Sequence, residues 1–296
     1  MELQWPLIIF TTFIAWSAGT FGAQGILAIK GERFKAQLPL LVTSFVIMAV
    51  GGIAVFFHLE HWERIFNGFG HITSGITQEL IGIILMVIVM VVYFAQLRRR
   101  NDNSVPAWCG VLALVVAVIL VIAMGHSYVM AARPAWESII QICSLLGAAC
   151  LLGPATAAVV MAFCGDDPKP CALTLLIGSI VNAAATILYL FEMGGMANNL
   201  TSVGYYYDPT QIVRGMIDVD AATGLLAGSR MGLVIAIVVC VLAAIVCALA
   251  LKVKAPAGDL RLWKGLGIVT VVLGVAAAMI LRIVFYELGI AIYMFF

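Results

Sequence analysis

His58, Glu60, Glu79, His126, Glu192, Arg282 and Glu287 are ionisable side chains that stand inside or hard against long apolar runs of the sequence. Between them they supply the parts of an acid–base centre. An imidazole takes up and releases a proton near neutral pH. A carboxylate orients such a base or passes its proton on. A guanidinium holds an oxygen that is gaining negative charge. Placing any of them within a bilayer costs about 2.5–3.5 kcal/mol on insertion scales, so each is a candidate for function.

Most of them also have a plainer reading. His58 and Glu60 suit a solvated helix end. Glu79, near a helix N-terminus, complements the helix dipole. His126, inside its span, suits a hydrogen bond to a neighbouring helix. Glu192, beside Gly194 and Gly195, suits a helix boundary. Arg282 resists such treatment. Ile280, Leu281, Ile283 and Val284 surround it, so it needs an anionic or carbonyl partner. Tyr286 follows at i+4 on the same helical face.

Other chemistries are poorly served. Cys109, Cys143, Cys150, Cys164, Cys171, Cys240 and Cys247 never form a C-x-x-C pair, whereas iron–sulfur clusters need grouped thiolates. They read as small apolar residues, and no metal site is expected. Phosphate-loop, dinucleotide and H-E-x-x-H patterns are missing. Of the four histidines, His61 and His71 fall outside the apolar runs, which rules out two bis-histidine haems; one haem between His58 and His126 stays open. Sixteen Lys and Arg against 15 Asp and Glu leave a net charge of +1, which argues against nucleic-acid binding.

The elements that must position these groups follow from composition. Hydrophobic residues make up 64% of the 296 and charged residues 10%, whereas soluble domains have about 45–50% and about 25%. Mean hydropathy is +1.11. The chain is expected to be an all-α, multi-pass plasma-membrane protein. A spanning helix needs about 20 apolar residues. Eight runs qualify, near Trp5–Ile29, Pro39–Leu59, Ile76–Leu97, Ala107–Ala131, Glu137–Phe163, Cys171–Met193, Ser229–Leu251 and Leu262–Ile292, together one eight-helix domain over 1–296. With no basic leader before Trp5, the first run reads as a span rather than a signal peptide.

Loop charge orients them. Loops after odd-numbered spans carry Lys30, Arg33, Lys35, Arg98, Arg99, Arg100, Lys169, Lys252, Lys254, Arg261 and Lys264. Loops after even-numbered spans carry only Arg64, Arg133, Arg214 and Arg230. The richer set belongs in the cytoplasm, which puts both termini on the extracytoplasmic side. On that topology the ionisable residues gather near the outer leaflet, and the inner halves of the spans hold little to match them. A transporter would need polar groups at mid-membrane and, commonly, internal repeats; no repeat is evident. The longest loop, Gly194–Gly228, is too short for a catalytic domain.

The opening Trp5-Pro6-Leu7-Ile8-Ile9-Phe10-Thr11 resembles the start of the membrane anchor subunits of dimethyl sulfoxide reductase, within the polysulfide reductase-like group of quinol-interacting anchors. His58-Leu59 with Arg64, Phe66 and Asn67 is similar to that family's segment at the end of its second helix. Thr77-Gln78-Glu79-Leu80, Gly153-Pro154, and Arg282 with Phe285-Tyr286 also resemble its pattern. The resemblance covers the whole chain and implies a membrane anchor without haem. Such an anchor carries an iron–sulfur subunit and a molybdopterin catalytic subunit on the outer face, and passes them electrons from menaquinol. It implies His58 as the base for a quinol hydroxyl, Glu79 as its orienting or relaying acid, and Arg282 as the group holding the quinone oxygen. Tyr286 would be a second quinol contact, and Arg64 and Asn67 would fix the partner interface. The alternatives are a haem b-bearing anchor and, from another class, a transporter.

Overall fold

The structure, a computed structural model, describes residues 4–59, 61, 67, 69–100, 102–130, 133, 135–202, 219–252 and 260–289, the side chains of 196–202 and 219–223 excepted. The described residues form eight long helices: α1 (Trp5–Ile29), α2 (Gln37–Phe56), α3 (Gly75–Arg99), α4 (Ala107–Ser127), α5 (Ile139–Cys164), α6 (Ala172–Ser202), α7 (Val219–Lys252) and α8 (Arg261–Glu287). All eight contain a stretch long and apolar enough to cross a bilayer. Their outer faces are apolar, with Val46, Ile53, Val91, Phe191 and Met231 exposed as lipid-facing side chains would be.

Helix pairing divides the bundle into two halves with one pattern. In the first half α1 packs on α2 and α4, and α3 packs on α2 and α4; in the second, α5 packs on α6 and α8, and α7 packs on α6 and α8. The halves meet chiefly along α1 and α5, the two most buried helices. Small residues permit that approach, since a Cβ on Gly153 would run into the Gly19 carbonyl. Without a hydrophobic drive between helices in lipid, such backbone closeness is what packs them. The sequence shows no repeat; the packing does.

Burial of α1 extends to polar side chains. Ser17 and Ser44 bond across α1 and α2, with the Ser17 hydroxyl donating to the Ser44 carbonyl at 2.7 Å. Gln24 donates to the Gln37 carbonyl at 2.7 Å and to its side-chain oxygen at 2.9 Å, and that oxygen also accepts from the Tyr93 hydroxyl at 2.9 Å. The bundle end where α1 finishes is therefore not purely apolar, as the sequence implies, but its buried groups are neutral.

Several helix ends differ from expectation. α2 stops at Phe56, and the chain tightens into i→i+3 turns through Leu59, so His58 stands beyond the helix. α4 likewise ends at Ser127, short of Ala131. α5 begins at Ile139, capped by Ser138, and ends at Cys164, where Gly165 with a φ of 77° closes the helix. α6 runs through Gly194 and Gly195 to Ser202, and α7 begins at Val219, so helix covers much of the expected loop. Glu60 and, within the expected Gly194–Gly228 loop, the polar residues Tyr205–Pro209 lie outside the described residues.

Candidate functional site

At the end of the bundle where α1 begins, four pieces of chain surround a cavity of about 710 Å³. The start of α1 contributes Gln4, Leu7 and Phe10, and the end of α2 and its turn contribute Phe56, His58 and Leu59. The start of α3 contributes Ile76, Glu79 and Ile83. The end of α4 and the α4–α5 connection add Ser127, Tyr128, Met130, Arg133 and Trp136. The floor and walls are apolar and aromatic, with a few polar groups converging, as small-molecule sites require.

Close backbone packing aims Glu79. Gly75 sits against Ser127, where a Cβ would come within 2.6 Å of the serine Cβ, so the first turn of α3 lies directly on the last of α4. Glu79, one turn further and 7% exposed, then accepts a hydrogen bond from the Ser127 hydroxyl. That hydroxyl also donates to the Met124 carbonyl at 2.8 Å. One hydroxyl carries one proton. When the Met124 carbonyl takes it, a protonated Glu79 can donate in turn, so the contact suits either state of the acid. His58 is exposed at the cavity rim, its backbone N–H donating to the Val55 carbonyl at 3.0 Å.

A wall of aromatic rings backs the cavity. Trp136 stacks on Phe285 with ring centroids 4.8 Å apart and 9° between planes, and its indole N–H donates to the Phe285 carbonyl at 2.7 Å. Tyr128 meets Trp136, Phe285 and Tyr286 edge-on at 5.7–5.9 Å. Burial pushes the Tyr128 phenol well above its ordinary range, so it stays a neutral donor. Tyr286 belongs to this wall and not to the lining, and its hydroxyl donates to the Leu7 carbonyl at 3.5 Å.

Arg282 is not brought to the cavity. It is 2% exposed, donates through Nη2 to the Ser144 hydroxyl at 2.7 Å, and lies 4.7 Å over the Phe285 ring. It lines instead a separate space of about 10 Å³ with Thr12, Ser144, Asn182 and Thr186. Arg282 Nη1, Thr12 Oγ1 and the Tyr189 hydroxyl are buried with no hydrogen-bond partner among the described residues. The anionic or carbonyl partner expected for Arg282 is thus a serine hydroxyl on α5. The reason is azimuth: membrane depth places a residue at a level, while helix rotation decides which neighbour it faces.

His126 is exposed on α4 and is not part of the lining, so only His58 among the histidines faces the cavity. Glu192 lies within α6 and accepts from the Ser138 hydroxyl at 2.6 Å, tying α6 to the start of α5 rather than ending a helix. Asn67 is exposed in the α2–α3 connection, and Arg64 lies outside the described residues. No group of three or more His, Cys, Asp or Glu suited to a metal ion occurs among the described residues. Ser127, Arg133 and Trp136 were absent from the sequence-derived site. An Arg three residues before a Trp at a membrane boundary was the available signal, since the two pair across one turn.

The chain matches, over residues 1–288, the family described as DMSO reductase anchor subunit (DmsC). It is also similar to the C subunit of the anaerobic dimethyl sulfoxide reductase of Escherichia coli (strain K12). The two are 25% identical over 193 residues, covering 60% of this protein and 67% of the relative.

Proposed function

We propose, from the premise that this chain belongs to the DMSO reductase anchor subunit family, that its cavity is where a lipid quinol is bound and oxidised. Membership makes the chain a multi-pass membrane anchor, and an anchor of such a reductase works alongside catalytic and iron–sulfur subunits.

One observation carries this reading: His58 from the α2 turn and Glu79 from α3, remote in sequence, line the same cavity. A quinol is a lipid with a polar head, so its site needs an apolar approach and a few polar groups. Losing two electrons also means losing two protons. His58 accepts the first from a quinol hydroxyl, and Glu79, in contact with Ser127, orients the head or takes a proton onward. The electrons pass to the nearest cluster of the iron–sulfur partner. The aromatic wall of Tyr128 and Trp136 suits a flat ring, with menaquinol the expected donor. Tyr286 supports Tyr128 from behind, while the wall separates Arg282 from the ring.

The excess of Lys and Arg in the opposite loops supports an extracytoplasmic position for this end. Asn67, exposed in the α2–α3 connection, is then a contact for the iron–sulfur and molybdopterin subunits. The reading needs no resident haem or metal in this chain. A reducible Soret band from the purified protein would overturn that part, and solute transport by the anchor alone in liposomes would favour a transporter. The central test is His58→Gln in the assembled complex. Quinol-dependent turnover should be lost while subunit stoichiometry holds, and normal turnover would refute the assignment.

A further inference from the structure

We propose that Arg133 is the positive group that binds the quinol head in this cavity, the role that family resemblance implies for Arg282; this inference rests on the quinol reading above. The Arg133 N–H donates to the Met130 carbonyl at 3.0 Å, and its own carbonyl accepts from Trp136 at 2.8 Å and Glu137 at 3.1 Å. The residue is therefore held in consecutive turns between α4 and α5.

The side chain is held as firmly. Its guanidinium carbon lies 4.3 Å over the Trp136 ring, and Nη1 donates to the Gly289 carbonyl at 3.0 Å, just past the end of α8. Trp136 is itself locked onto Phe285 by stacking and by its indole hydrogen bond. A guanidinium has five N–H donors in a rigid fork. Only the Nη1 bond is made among the described residues, and the side chain lines the same cavity as His58 and Glu79. It is half-buried, so the head group meets a partly desolvated cation already fixed in direction. Removing a proton from a quinol hydroxyl leaves a quinolate oxygen. A cation in the same cavity as the base favours that species and helps to hold the head group. Arg282 lacks this position, because Ser144 and Phe285 hold it behind the aromatic wall.

The test measures binding of a hydroxyquinoline N-oxide quinol analogue to the assembled complex by fluorescence quenching, alongside quinol turnover. Arg133→Gln should weaken analogue binding at least tenfold and raise KM more than it lowers kcat. Arg133→Lys, which keeps charge but loses the fork and its stacking, should recover part of the affinity. Equal affinity for wild type and Arg133→Gln would overturn the proposal and leave the quinol reading standing. No analogue binding by the wild type would sink the quinol reading and this inference with it. If Arg133→Gln fails to assemble, Arg133→Lys decides: a threefold or larger loss of affinity supports the assignment, and unchanged affinity overturns it.

Discussion

The two polar regions of this molecule lie on opposite sides of one aromatic wall and are built in opposite ways. On the side toward α2 and α3, His58, Glu79 and Arg133 share a cavity of about 710 Å³. On the side toward α5 and α6, Arg282 sits among hydroxyls and amides around about 10 Å³ of space. One region combines a base, an acid and a cation with room for a ring; the other holds one cation and room for nothing larger than a water-sized guest. Similar depth in a membrane does not mean a shared site: Trp136 lines the cavity and stacks on Phe285, and Arg282 lies against Phe285 instead of reaching the lining.

That contrast breaks if the two regions respond alike to substitution. The largest effect expected is from His58→Gln, a loss of about 100-fold or more in quinol-dependent turnover, the scale of a general base, measured in membranes with quantified subunits. Next comes Ser144→Ala on the other side. It removes the one acceptor Arg282 has among the described residues and should cost about 2 kcal/mol of stability. The expected readout is a lower thermal midpoint of the detergent-purified complex with turnover kept. Glu79→Gln should slow turnover by about tenfold, or roughly 1.4 kcal/mol of barrier, and the pH–rate profile should change shape because the amide no longer takes up a proton. Ser138→Ala should cost about 1 kcal/mol as a lost helix cap, read in the same melting experiment, since it removes both the α5 cap and the bond to Glu192. Arg282→Met should change turnover less than threefold; a loss as large as that of His58→Gln would erase the distinction between the regions.

The spans were legible in the sequence because a bilayer imposes one demand, about 20 apolar residues in a row, and runs such as Met231–Leu251 meet it without ambiguity. Helix ends were less so. Past Phe56 the apolar run continues while the backbone tightens, and at Gly194-Gly195 the composition signals a stop that the helix passes through. Depth and type made His58 and Glu79 two candidates among seven, and the family resemblance then picked them out. Arg282 could be singled out but not placed, because the face it shows α5 depends on how α8 is rotated. Arg133 registered only as a loop charge. Its position depends on a stacked tryptophan and on the Gly289 carbonyl, a contact across 156 residues that local pattern does not encode.

The hydrogen bonds joining α1 to α2 bear on the birth of the protein. Ser17 and Gln24 find Ser44 and Gln37 on the very next helix to emerge from the ribosome. Part of the polar surface of α1 is therefore met within the first hairpin, before α3 adds the Tyr93 hydroxyl to the Gln37 side-chain oxygen. Trp16, by contrast, finds its partner Thr156 only on α5, at 2.7 Å. Locking of the two halves is thereby postponed until more than half the polypeptide has been made.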